Sequence, residues 1–292
     1  MNREAGQADA IPLQDRLQEE FDRVGRPLRF LFMEADTSPE DLAREAVRQG
    51  ATCVLLCGGD GTVVGGLTGL IGSGIPAALV PVGTGNLLAV NLDLVNRRLA
   101  EWVTFAVVGK PLSLDMLRIR DDQGRIYHSA VIAGIGYDAR IVAGTKRPMK
   151  KRWGAWAYVV SALSHMHDKT CTMWITIDHG PTFSFPMQSA LVANVGELQA
   201  GIVLLPEADP TDGLMNIAIM KSSGWSQWLR VVLNILTQRV REEPAIALFQ
   251  ARHILMKFDH PQPFQYDGEA MGVVRQLEVE ILPGAATVMV PR

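Results

Sequence analysis

A chain of 292 residues, 48% apolar and 20% charged with a formal charge of −3, has a globular composition and room for one large domain or two ordinary ones. That balance supplies no basic field, which argues against nucleic acid as the main partner. The three cysteines, Cys53 and Cys57 four apart and Cys171 alone, suit a reducing cytoplasm, read as small core residues, and show no metal-ligand spacing. No stretch reaches the roughly 18 unbroken apolar residues of a membrane span, and residues 1–10 lack the apolar centre of a signal peptide. Any membrane contact is therefore expected to be peripheral.

Taken in order, Ile11, Leu13, Leu17, Phe21 and Val24 recur at helical spacing and predict an amphipathic helix that ends near Gly25 and Pro27. Leu28–Met33 reads as a strand. Ser38-Pro-Glu-Asp41 opens a second helix, with Ser at the N-cap and Pro at the first helical position, and Gly50 closes it. Ala51–Cys57 is a short buried strand that stops at Gly58-Gly-Asp-Gly-Thr62, and a helix over 62–71 follows. Ile75–Pro81 repeats the pattern, running into Gly83-Thr-Gly-Asn86 and a helix from Leu87. Alternating strands and helices predict a mainly parallel sheet, whose loops gather at the carboxyl ends of the strands, where ligands bind.

Two strand–glycine–helix units about 25 residues apart carry more weight than one. Glycine lets the backbone approach a ligand closely, and N–H groups at such a turn suit phosphate. Asp60, in the middle of the first turn, would repel phosphate. It makes sense as a holder of magnesium, or as the group that orients or deprotonates the attacking atom. No Gly-Lys-Ser/Thr follows either turn, so this is not a Walker-type site.

After Lys110-Pro111 the period changes to two. Ser113–Arg120 and Arg125–Ile132 flank Asp121–Gly124 as a hairpin, and 171–178 alternates as well. Further strands are expected at 183–195, 214–220, 252–258 and 276–281, with helices near 151–167 and 224–239. The second region reads as an antiparallel sandwich, with a boundary near 110. Lys146, Arg147, Lys150, Lys151 and Arg152 beside Trp153 and Trp156 read either as a solvated face or as a surface for an anionic leaflet. His165 and His167 do not share a helix face and are read as surface or core residues.

These motifs together resemble the diacylglycerol kinase catalytic family, which includes bacterial lipid kinases and sphingosine kinases. The resemblance rests on Gly58-Gly-Asp-Gly-Thr62, Pro81-Val-Gly-Thr-Gly-Asn86, Ala133-Gly-Ile-Gly-Tyr-Asp-Ala139 and Lys150-Lys-Arg-Trp-Gly154 with Ala157-Tyr158. Val192-Ala-Asn194, Pro206–Leu214 and Tyr266-Asp-Gly-Glu269 complete it, in order along the chain from about residue 28. It implies an α/β fold of two domains: an NAD kinase-like nucleotide-binding domain over 1–110, which 283–292 could rejoin, and an antiparallel β-sandwich lipid-binding domain over 111–282.

By the same resemblance the chain is a lipid kinase dependent on ATP and Mg2+, acting on diacylglycerol or a similar lipid alcohol at the membrane surface, cytoplasmic, with a homodimer as an open option. ATP would lie against Thr37, Gly58, Gly59, Asp60, Gly61, Thr62, Gly83, Thr84, Gly85 and Asn86. Glu269 looks like the general base, with Asp60 and Asp267 as the other catalytic carboxylates, and which of them takes the proton is left open. A structural magnesium would be held by the Asp212 carboxylate and the carbonyls of Asp209 and Leu214. Two departures accompany the match. The family's "(I/L)NEV" becomes Val63-Val64-Gly65-Gly66, and no strand with an Asn-Pro loop precedes the first helix. The second departure is expected to reflect either a start further upstream or a lost first sheet strand. In the latter case the alternative is a non-catalytic lipid- or nucleotide-binding pseudokinase.

Overall fold

The computed structural model describes residues 10–34, 36–136, 170–197, 203, 205–221 and 245–292. The expected helices at 151–167 and 224–239, the basic–tryptophan stretch and His165 and His167 lie outside them. The chain divides into two compact units: Met1–Leu114 with Gly284–Arg292, and Asp115–Pro283.

In the first unit, β1 (Val54–Gly58) and β2 (Ala77–Pro81) run parallel, in register from Val54 opposite Ala77 to Gly58 opposite Pro81. The end of the last strand, β11 (Glu269–Val290), adds Val288 in parallel beside Ala77. Helices α1 (Ala10–Arg23) and α5 (Leu99–Val108) cover one face, where Leu17, Phe21, Leu99 and Val103 pack with Cys57, Ala78 and Val80. The opposite face carries α3 (Asp60–Leu70), whose glycines let it press close: a Cβ on Gly66 would lie 2.4 Å from Leu56 Cδ2. One on Gly69 would lie 2.4 Å from the carbonyl oxygen of Glu40, in α2 (Pro39–Arg48). The two glycines in the departing segment Val63–Gly66 thus both sit where α3 is packed tightly, Gly65 against Pro39 and Gly66 against Leu56. Ser38 caps α2 as predicted, its Oγ accepting from Asp41 N at 3.0 Å.

The helix expected from Leu87 forms as the short α4 (Leu87–Asn91), and α5 follows separately. One expectation is corrected: residues 28–33 are not part of a strand. Among the described residues β1 pairs on one edge only, with β2, so no ladder stands within the roughly 4.8 Å that strand pairing requires. Instead this segment and β1 line a cavity of about 790 Å³, closed by apolar side chains of α1 and α2 such as Leu17, Phe21 and Leu42.

Among the described residues, the strand registers of the second unit are antiparallel. The predicted hairpin forms from β3 (Lys110–Asp121) and β4 (Ile126–Ser129), with Leu117 opposite Ser129. Then come β5 (Ile132–Gly136), β6 (Cys171–Ile177), β7 (Thr182–Ala193), β8 (Met215–Lys221), β9 (Ile246–Ala251) and β10 (His253–Tyr266). β5 and β6 lie end to end in the gap between β7 and β10. β6 pairs with Ile254–Phe258 and Thr182–Met187, and β5 with Phe264–Tyr266 and Ser189–Ala193. Alternate side chains, among them Met173, Ile175, Ile217, Met256, Phe264 and Leu277, fill one core. Strand β9, against β8, was not expected from the sequence.

Candidate active site

The register of β1 on β2 brings both glycine turns to the same end of the sheet, since Gly58 faces Pro81 and Val82 N donates to the Gly58 carbonyl at 3.2 Å. There the turns touch. A Cβ on Gly83 would sit 2.4 Å from Gly59 Cα, closer than real atoms come. Gly58 is equally confined, by the Thr62 side chain.

Asp60 joins the two turns. Its Oδ2 accepts from Asn86 N at 2.9 Å and its Oδ1 from Leu87 N at 2.6 Å, so the carboxylate caps α4. Asn86 closes its own turn: Nδ2 donates to the Gly83 carbonyl at 2.7 Å, Oδ1 accepts from Gly83 N at 3.2 Å, and the backbone takes a left-handed φ of 51° that Asn tolerates. Gly59, at the N-cap of α3, leaves the helix without a side-chain cap. First-turn N–H groups lack intrahelical partners, and a glycine-lined helix start is the usual seat of a phosphate. This cradle therefore fits a nucleotide's phosphates. Thr37 is engaged locally, its Oγ1 accepting from Glu34 N at 2.7 Å.

In the second unit, Asp267 and Gly268 form the two-residue turn between β10 and β11, at φ 45° and 86°, with Tyr266 paired to Glu269. Two successive positive φ values are those of the type I′ hairpin, which Asp-Gly favours. Asp267 also works as an anchor: its Oδ1 accepts from Ser129 Oγ at 2.7 Å and from Ile132 N at 3.0 Å, while its own N–H donates to Ile132 O. Glu269 is exposed, and among the described residues its carboxylate meets no hydrogen-bond or ion-pair partner. Of the three predicted carboxylates, two hold backbone and one stands clear.

The loop before β8 gathers acids. Asp209 Oδ1 accepts from Thr211 N and Oγ1, and Asp212 Oδ1 from Leu214 N at 2.8 Å. Asp115, a buried acid in β3, accepts from Gly213 N at 2.6 Å. Burial pushes the Asp212 carboxyl above the usual aspartate range, and the charges of Asp209 and Asp115 push it the same way. Crowded carboxylates with carbonyls close by are a donor set that fits a hard cation. Asp115 was missed from sequence; its signal was an acid inside the apolar run Leu114–Leu117. Asn194, fully buried, donates to the carbonyls of Asp115 and Ala130 and so fixes β3 against the start of β5. Burial raises the Cys53 and Cys57 thiols to about 11, which makes both inert at neutral pH.

Two glycine turns on parallel strands and an antiparallel β-domain define a nucleotide-type α/β unit joined to a β-sandwich-like one. The profile of the diacylglycerol kinase catalytic domain matches residues 1–119, and that of the YegS C-terminal NAD kinase beta sandwich-like domain matches residues 130–290. The chain belongs to the diacylglycerol kinase family of lipid kinases. A Mycobacterium tuberculosis (strain H37Rv) diacylglycerol kinase is 25% identical over 254 residues, covering 86% of this chain and 81% of the relative. An uncharacterised Synechocystis protein is 24% identical over 306 residues, covering 96% of this chain, which spans only 65% of that relative's length. In fold, a Bacillus anthracis crystal structure matches with a TM-score of 0.80 at 21% identity, over 99% of this chain and 93% of its own. A structure of a diacylglycerol kinase from the same organism matches at 0.69 and 20%, over 99% and 94%.

Proposed function

We propose that the chain transfers the γ-phosphoryl group of ATP to the hydroxyl of a lipid alcohol, with diacylglycerol as the first candidate, at a membrane surface on the cytoplasmic side. The single observation that carries the assignment of roles is the division among the three carboxylates. Asp60 and Asp267 are committed to backbone N–H groups, whereas Glu269 is exposed and unpartnered among the described residues. Glu269 is thus the general base for the lipid hydroxyl, Asp60 the positioning residue that sets the phosphate turns, and Asp267 the anchor of the hairpin presenting Glu269. An alcohol is a poor nucleophile at neutral pH, and a placed carboxylate contributes about 10²–10⁴-fold. Phosphoryl transfer otherwise asks for positioning and charge stabilisation.

ATP would be held by Gly58–Thr62 and Gly83–Asn86, with Thr37 as a further candidate. When bound, Mg2+ supplies charge neutralisation at the transferred phosphate. A second, structural Mg2+ would be held by Asp212 with Asp209 and Leu214, and Asp115 adds charge there. Transfer of label from γ-labelled ATP to a panel of lipid alcohols in mixed micelles tests the reading; absence of transfer to every alcohol, with ATP bound, would sink it. For the structural ion, Asp212→Asn should abolish a Mg2+-dependent rise in Tm while leaving Tm in chelator unchanged or higher, because the crowded charge is gone.

A second reading, a non-catalytic lipid- or nucleotide-binding protein, is favoured by β1, which among the described residues pairs with β2 alone and lines a cavity. ATP binding undetectable at millimolar nucleotide would support it, and turnover would remove it.

A further inference from the structure

The sheet of the second unit has a seam where β5 ends at Gly136 and β6 begins at Cys171. At this seam β10 loses its register with β11 between Lys257 and Gln262. Successive side chains of a regular strand point to opposite faces, but a bulge re-aims them. Here Asp259 and His260 both turn to Cys171. The Cys171 Sγ lies 3.0 Å from Asp259 Oδ1, the His260 Nδ1 lies 2.6 Å from the same oxygen, and all three ligand atoms fall within 4.8 Å of one another. Thr172 N holds the second Asp259 oxygen at 3.0 Å.

We propose that Cys171, Asp259 and His260 form a binding site for a zinc-class divalent cation that ties the start of β6 to the bulge of β10. A thiolate, an imidazole and a carboxylate select a borderline-soft ion such as Zn2+, whereas Mg2+ and Ca2+ take oxygen sets. Tetrahedral Zn2+, with bonds of about 2.0–2.3 Å, needs ligand atoms roughly 3.3–3.6 Å apart. The pairs at 2.6 and 3.0 Å must therefore open slightly. The side chains of His260, 45% exposed, and Asp259, 37% exposed, have room to do so. The exposed side of the site leaves a fourth position to water. The Thr172 N–H on the second Asp259 oxygen is the kind of outer hydrogen bond that orients a ligating carboxylate. On binding, the metal–sulfur bond replaces the Cys171 S–H bond and the proton leaves to solvent. The sequence gives no hint of this site, because 88 residues separate Cys171 from Asp259.

The full chain, reduced and stripped with chelator, is titrated with Zn2+ against a chromophoric chelator and with Co2+ as the spectroscopic probe. Expected are one equivalent of tight Zn2+, not displaced by excess Mg2+, and a sulfur-to-cobalt charge-transfer band in the near ultraviolet. Cys171→Ser should remove the band, and His260→Ala should weaken Zn2+ by about 100-fold or more, the upper end of what losing even an outer-shell partner costs. No band in the wild type overturns the proposal. So does a band that survives in Cys171→Ser, which would come from Cys53 or Cys57, or a Zn2+ affinity unchanged by His260→Ala. Should Cys171→Ser fail to fold, the exposed residues supply the test through Zn2+ affinity alone: weakening in both His260→Ala and Asp259→Asn supports the site, and wild-type affinity in either overturns it.

Discussion

The two units use the same pair, glycine beside aspartate, for different physical ends. In Gly58-Gly59-Asp60 the glycine is required by space: a Cβ on Gly58, which has no left-handed φ, would lie 2.5 Å from Thr62 Cβ, and the Gly59 backbone is what a Cβ on Gly83 would strike at 2.4 Å. In Asp267-Gly268-Glu269 it is required by conformation: Gly268 sits at φ 86°, and a Cβ there would meet nothing within 4 Å. The aspartates differ as well. Asp60 spans two loops 26 residues apart in sequence, whereas Asp267 pins a hairpin to a neighbouring strand link. A glycine–acid motif therefore has no single meaning until it is known whether steric room or backbone angle demands the glycine.

Substitutions can break this comparison at several strengths. The largest effect is expected at Glu269. Glu269→Gln should lower kcat by about 10²–10⁴-fold with Tm unchanged, because the exposed carboxylate supports no structure. Asp267→Ala, by contrast, should lower activity and also cost about 1–3 kcal/mol of stability, since Ser129 Oγ and Ile132 N lose their acceptor. Equal loss of Tm in both variants would remove the distinction between base and anchor. Next comes Gly83→Ala, which must push the two turns apart. About 1–3 kcal/mol of destabilisation and a loss of ATP binding are expected from melts and nucleotide titration. Gly268→Asn is the matched control. It keeps an accessible left-handed conformation and should cost about 1 kcal/mol or less, with nucleotide binding intact.

The same contrast shows how far the sequence could be read. The paired turns, the N-cap of α2 and the β3–β4 hairpin were legible because each depends on residues close in sequence and on one dominant local rule. The strand expected at 28–33 failed because an apolar run describes only the capacity to pair, and among the described residues β1 pairs with β2 alone while it and this segment line a cavity. Asp60 read as a puzzling charge at a phosphate site; its partners Asn86 N and Leu87 N come from the next strand–helix unit, which no spacing rule links to it. Asp115, marked in the sequence only as an acid inside an apolar run, and the Cys171–Asp259–His260 cluster, not marked at all, were missed for the same reason. Each is assembled by strand register across long separations.

The smallest expected effect is a pH dependence confined to the second unit. The Asp121 carboxylate, at the turn of the β3–β4 hairpin, accepts from the N–H groups of Gln123 and Arg125, both at 2.9 Å, from Arg125 Nε at 2.7 Å and from Tyr127 O–H at 3.1 Å. Burial alone would raise it, but the Arg125 side chain and the other donors outweigh burial and hold it below the ordinary value of 3.8. A carboxylate depressed in the folded state is protonated first in the unfolded chain. Its stabilisation is present in full above the unfolded value and is lost as pH falls through the folded one. Melts taken downward from about pH 5 should therefore show an acid limb that is shallower in Asp121→Asn, with the two proteins converging at the acid end. The substitution leaves both glycine turns untouched, so nucleotide binding at neutral pH should stay at the wild-type level. A variant that lost ATP affinity in parallel with its acid limb would mean that the hairpin of one unit and the turns of the other are energetically coupled.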